Sequence, residues 1–307
     1  MRVVHGTSGG AKPSSTGQED GVVVPIAEPT TTATPDSDPP PDSTPPSRPQ
    51  VKAPAVDPCI ETLRSEAGGP DPAKAKGLDV YRDALEAERA QKLDLARRNY
   101  LKLIQNYPDS TLIPAAYFAF GEMFRREAVG DPSKASLAEQ SYAEVIKYPA
   151  GKGSLWTVTQ YRMGQVFLAS KPEKALSVFM KAAKSAQQNP DDGCVTEASA
   201  AALEGSAAAF AEAGQPDKCV TFYSSLTTDK GRMAVACVAV AEHLAAKKKG
   251  GDAQRVLAAS LGPAAAAHMA QTDMDTYCKR AKAAADDAKA SGGVDASLDK
   301  ALAAACP

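Results

Sequence analysis

The chain has 307 residues, 43% of them hydrophobic but only 6% aromatic, and its 35 basic side chains nearly balance 37 acidic ones. Phosphate binding needs clustered excess cation, so this balance excludes a nucleic-acid surface as the main business of the chain. No stretch approaches the ~20 consecutive apolar residues of a membrane span.

The N-terminal part stands apart in composition. Twelve of the 23 prolines fall within 1–58, and no Phe, Trp or Tyr occurs before Tyr81. A run such as Thr34 to Pro46, rich in Pro, Asp and Ser, cannot bury enough apolar surface to offset its conformational entropy, and its prolines favour extended polyproline II. Residues 1–58 are therefore expected to be a disordered tail or linker. The longest early apolar run is Val22 to Ala27, too short for the h-region of a signal peptide.

Residues 59–307 read as helix throughout, without a useful alternating strand pattern. A short helical segment is expected over 59–66, then a Gly68-Gly69-Pro70 turn with Asp71 as N-cap and Pro72 at the first helical position. Helices are expected near 72–90, 93–106, 112–127, 133–147, 154–169, 172–187, 195–213, 216–226, 231–247, 251–260, 263–290 and 295–305. Breaks such as Gly151-Lys152-Gly153 and Asn189-Pro190-Asp191-Asp192-Gly193 carry turn residues. Lys247-Lys248-Lys249 before Gly250 reads as a last helical turn with its cap.

These helices repeat. Ala96, Tyr100 and Pro108 recur as Ala138, Tyr142 and Pro149, and Ala175 with Phe179 begin the phrase again; Gly121, Gly164 and Gly205 recur between them at 43 and 41 residues. Such a period in an Ala-rich, strand-poor chain means stacked helix pairs. Gly or Ala at a crossing lets two helices approach closely, an aromatic one turn on fills the space beside it, and Pro ends the second helix.

The small, aromatic and Pro positions resemble those of the tetratricopeptide repeat family. Asn106-Tyr107-Pro108-Asp109-Ser110 followed by Ala115-Ala116-Tyr117-Phe118 and Gly121 resembles the subgroup found in bacterial cell-envelope proteins such as outer-membrane assembly lipoproteins. The match is best over 93–182, degenerate over 183–260, and gives way to a helical C-terminal cap at 261–307. The resemblance implies an all-α solenoid of helical hairpins and a non-enzymatic scaffold that binds a protein or peptide in a concave groove, as part of a multiprotein envelope complex. In family register the groove positions include Phe118, Glu122, Arg125 and Arg126, then Tyr161 and Gln165; Trp156 is a further partner contact or a core residue.

Chemical constellations all read better as structure. Cys59, Cys194, Cys219, Cys237, Cys278 and Cys306 are at least 18 residues apart and lack metal spacing. An even, scattered set suits an exported, oxidised protein, with a leader or lipid-anchor sequence expected ahead of Met1; the cytoplasm is the alternative. A disulfide is expected among Cys194, Cys219 and Cys237. His5, His243 and His268 have no visible catalytic partners, and Gly151-Lys152-Gly153-Ser154 lacks the first Gly and preceding strand of a phosphate loop. No cofactor, metal or catalytic residue is expected. The competing function is a redox-active or accessory catalytic protein that cycles a cysteine pair, which would need exposed thiols of depressed pKa.

Overall fold

The computed structural model describes residues 56–67, 75–148, 153–265, 267 and 269–306. Residues 1–55 of the expected tail, the Gly68-to-Pro72 turn and cap, Pro149, Gly151, Lys152 and His268 lie outside the described residues, whereas residues 56–58, also expected in the tail, begin the first helix. Among the described residues, the chain forms thirteen α-helices and no strand: α1 (Val56–Ser65), α2 (Leu78–Arg89), α3 (Leu93–Asn106), α4 (Ile113–Glu127), α5 (Lys134–Lys147), α6 (Ser154–Phe167), α7 (Pro172–Gln188), α8 (Gly193–Ala213), α9 (Cys219–Ser224), α10 (Lys230–Ala246), α11 (Gly250–Ala265), α12 (Gln271–Ala290) and α13 (Ala296–Ala305).

Local chemistry sets many boundaries. Asp192 accepts the Val195 N–H at 3.0 Å to start α8, Asp229 accepts that of Arg232 at 3.0 Å to start α10, and Asp295 accepts that of Ser297 at 2.9 Å to start α13. Pro114 and Pro172 stand in first turns, where a missing N–H costs nothing. Four expected boundaries are corrected. The helix expected over 72–90 begins at Leu78, after Gly77 in a left-handed turn at φ 77°. The expected break before Gly262-Pro263 falls after Ala265, because Ala264 is buried in the core and continuing the helix places it there. Gly250 is not a cap: Lys248 takes the left-handed turn at φ 63° and Gly250 opens α11. The helix expected over 216–226 is a 3-10 turn, Pro216–Lys218, followed by the six-residue α9.

The helices pack as consecutive pairs. α2 lies on α3, α4 on α5, α6 on α7, α10 on α11 and α12 on α13; the second helix of a pair also packs on the next first helix, as α5 does on α6 and α7 on α8. The first helices α4, α6, α8, α10 and α12 each pack on the next, forming a row whose exposed side is called the front face below.

The repeated small and aromatic residues meet as pairs. Ala96, Ala138 and Ala175 are fully buried, as are Tyr100, Tyr142 and Phe179. The aromatic ring does more than fill space beside the crossing: a Cβ on Gly121 would fall within 3 Å of the Tyr142 ring, and one on Gly164 within 3 Å of Phe179. Each glycine is the floor on which the ring of the second helix rests. Tyr100 instead lies between Tyr81 and Phe120, with ring centroids 5.7 and 6.0 Å away, an arrangement in which edge and face of neighbouring rings attract.

Gly121→Ala is expected to lose about 1 to 3 kcal/mol in urea unfolding through overpacking, despite the better helix propensity of Ala. Gly251→Ala, in the first turn of α11 with open space at its Cβ, is expected to gain about 0.5 kcal/mol. The same sign at both positions would contradict the ring-on-glycine contact.

Candidate functional site

Two buried carboxylates organise the front face. Glu88 and Glu122 occupy the same place in successive repeats, each directly after the small residue, Ala87 or Gly121, and each beneath the tyrosine of the second helix. Tyr100 donates its hydroxyl to Glu88 at 3.2 Å, and Tyr142 donates to Glu122 at 2.5 Å. The motif then loses its acid. Gln165 follows Gly164 and donates to the Tyr161 hydroxyl at 2.8 Å, while Ser206 follows Gly205 and shares a 3.0 Å hydrogen bond with Tyr223.

A buried carboxylate is tolerable only when paired. Glu122 meets the Arg125 guanidinium at 3.1 Å and Arg162 Nε at 3.1 Å. Burial alone would raise its pKa, but Arg162 and Arg125, with hydrogen bonds from Arg125 and Tyr142, outweigh that and hold it below the usual glutamate value. Arg162, itself only 4% exposed, donates to Gln165 at 2.9 Å and pairs with Asp57. Glu88 pairs with Arg126 and with Arg64.

Asp57 and Arg64 both belong to α1. This helix lies on the front face, packed on α6 and α8, with its Asp57 end at Arg162 of α6 and its Arg64 end at Glu88 of α2. Ile60 is buried beneath it, Tyr81 donates its hydroxyl to the Arg64 carbonyl at 3.0 Å, and Arg89 donates to Glu61 at 2.9 Å and to Ser65 at 2.6 Å. Burial and Arg64, acting in opposite directions with burial the larger, leave the Tyr81 phenol pushed up to about 12. A disulfide joins Cys59 of α1 to Cys194 in the first turn of α8, with Cα atoms 5.5 Å apart.

The anticipated face residues are thus only partly assembled. Glu122, Arg125, Tyr161 and Gln165 do converge, and Arg126 stands half-exposed at the α2 side. Phe118 is fully buried against Tyr142, ring centroids 5.8 Å apart, inside the α4–α5 pair. Trp156 is half-buried and lies nearly two turns ahead of Arg162 on α6. Asp57, Arg64, Glu88 and Arg162 were missed. The available signal for Glu88 was Ala87-Glu88 standing 34 residues before Gly121-Glu122, the usual period of the resembling family, hidden because Ala replaces Gly there.

The cysteine expectation is corrected. Cys194 bonds Cys59, because it faces α1 across the front face, and a second disulfide joins Cys278 of α12 to Cys306 after α13, Cα atoms 5.4 Å apart. Cys219 and Cys237 are free and buried. A hydrogen bond with Cys237 and then burial push the Cys219 thiol well above its ordinary pKa.

Beyond α1 the front face is open. A hollow of about 870 Å³ lies among α8, α10 and α12, with Leu203, Glu204, Val235, Met269, Asp273 and Thr276 in its wall. Beside it Arg280 pairs with Glu242 at 2.8 Å and Glu204 at 3.4 Å. Among the described residues no group of His, Cys, Asp and Glu could hold a metal, and no helix is long and apolar enough to cross a membrane. No family model, curated protein or solved structure matches the chain.

The pairing at Glu122 has a pH consequence with a definite sign. Its carboxyl titrates lower in the folded than in the unfolded chain, so its stabilisation is present above the ordinary glutamate pKa and is lost as pH falls through the lowered value. Glu122→Gln should be less stable than the native chain at pH 7, and the gap should narrow from pH 5 to pH 3 in urea titrations; a gap that widens on acidification contradicts the pairing. Reversing Arg125 and Arg126 to Glu together is expected to cost about 2 to 4 kcal/mol, because each would set a carboxylate against a buried one. That double variant is therefore unsuited to probing partner binding alone.

Proposed function

We propose that the chain is a non-enzymatic interaction scaffold, a tetratricopeptide-like solenoid whose inner groove, formed by the first helix of each pair, binds protein segments. The observation that carries this reading is the groove's own filling. At its N-terminal half a helix is already seated on it, and the C-terminal half between α8, α10 and α12 is left as a hollow of about 870 Å³.

The wall of that hollow suits a peptide. Leu203, Val235 and Met269 offer apolar contact, Glu204, Asp273 and Thr276 offer acceptors, and Lys230 and Arg232 offer donors, the mixture that fixes orientation in helix-in-groove recognition. Two disulfides fit an oxidising compartment, so the proposed setting is the bacterial envelope, as an accessory or assembly component of a multiprotein complex. The redox alternative finds less support. Its one unbonded cysteine pair is buried, and Cys219 is shifted toward the unreactive thiol.

A photo-crosslinking residue placed at Thr276, exposed in the hollow, should trap a protein partner in the native cell, and one placed at Ala258, exposed on α11, should not. No adduct at Thr276, or equal adducts at both, would refute a working groove.

A further inference from the structure

We infer that the front face of α2, α4, α6 and α8 is a docking surface for an amphipathic helix bearing a carboxylate, an aliphatic and an arginine at i, i+3 and i+7. α1 is its resident occupant, exchangeable once the Cys59–Cys194 bond is opened. The inference rests on the scaffold reading and deepens it, by naming the chemistry of a segment that the groove takes.

The recognition pattern is read from α1 itself. Asp57, Ile60 and Arg64 fall on one side of the helix, and they meet Arg162, the apolar floor and Glu88 in turn. A carboxylate near the helix N-terminus and an arginine near its C-terminus also agree with the helix dipole, so the face selects direction as well as composition.

Three features make the occupant removable. α1 belongs to no helical pair and has ten residues, too few to hold a helix without its support. Its apolar grip is small, with Ile60 its one deeply buried aliphatic side chain and Leu63 partly buried against the core. Each buried face charge that it neutralises also has a second partner within the repeats: Glu88 keeps Arg126, and Arg162 keeps Glu122, while Arg89, which loses Glu61, is half-exposed. Departure of α1 therefore strands no buried charge.

What holds α1 is the covalent bond. Its opening by a dithiol reductant is balanced: the reductant's two thiols close into a disulfide and supply two electrons and two protons, leaving Cys59 and Cys194 as thiols. α1 then competes with an incoming helix through its tether alone, at an effective concentration in the millimolar range.

The test uses the full chain carrying Asp57→Ala, Cys59→Ser and Arg64→Ala. A fluorescein-labelled synthetic peptide of residues 54–67, with Ser in place of Cys59, is titrated by anisotropy. The triple variant should bind at least tenfold tighter than the oxidised native chain, and adding Glu88→Gln should weaken binding at least fivefold. Absent binding by a triple variant of native circular dichroism, or equal affinity for both chains, overturns the proposal. Should the triple variant fail to fold, amide exchange in full-length Cys194→Ser decides. Residues 58–65 should exchange at least tenfold faster than in the native chain while α4 and α5 are unchanged; unchanged α1 exchange rejects its release. The hollow beside α10 takes no part in this test, so its failure leaves the crosslinking result at Thr276 to stand or fall separately.

Discussion

The arrangement depends on keeping two negative charges inside a protein. A carboxylate removed from water costs several kcal/mol unless countercharges and hydrogen bonds replace its hydration, and here Glu88 and Glu122 are both almost fully buried. Arg125 apart, their partners come from other helices: a tyrosine from the second helix of the same pair, an arginine from the next first helix and, for Glu88, Arg64 from α1. Four elements are thereby fixed against one another by requirements that apolar packing cannot impose. Aliphatic contacts would tolerate a shift of a turn; a buried carboxylate that must meet a guanidinium and a phenol hydroxyl from other helices does not.

Much of the hairpin architecture was legible because its cause is local. Small residue, aromatic one turn on, proline after the helix: each is a steric statement about a few neighbouring residues, and α3 ends where Asn106-Tyr107-Pro108 said it would. The errors at Lys248, Gly250 and Pro263 are of another kind. There, contacts with α12 and burial of Ala264 overrode strong local breakers, and no inspection of the segment alone could weigh a helix that arrives later in the chain.

The face was less legible for the same reason. Glu122 and Arg125 look like solvated charges on a helix, and only the approach of Arg162 and Tyr142 makes them an interior network. α1 was read as a helical segment ahead of the repeats, and its crossing to α8 left no trace in the spacing of the cysteines. Cys59 and Cys194 are separated by 135 residues, whereas Cys194, Cys219 and Cys237 stand close in sequence and invited pairing among themselves. In the C-terminal half, where aromatics are scarce, covalent support is supplied by Cys278 and Cys306.

The two disulfides also decide how the chain would carry mechanical load. Tension applied through the segment before Val56 reaches Cys59 and passes straight into α8 at Cys194, so everything from α2 to α7 lies within a closed covalent loop and is shielded. The loop from Cys278 to Cys306 is shielded likewise. Only the stretch between Cys194 and Cys278 can pay out length, roughly 300 Å at about 3.5 Å per residue. That stretch is α8 to the start of α12, the part of the molecule that encloses the hollow. A pull on the two ends would therefore be felt first by the open half of the front face, while α2 to α7, inside the closed loop, stayed intact.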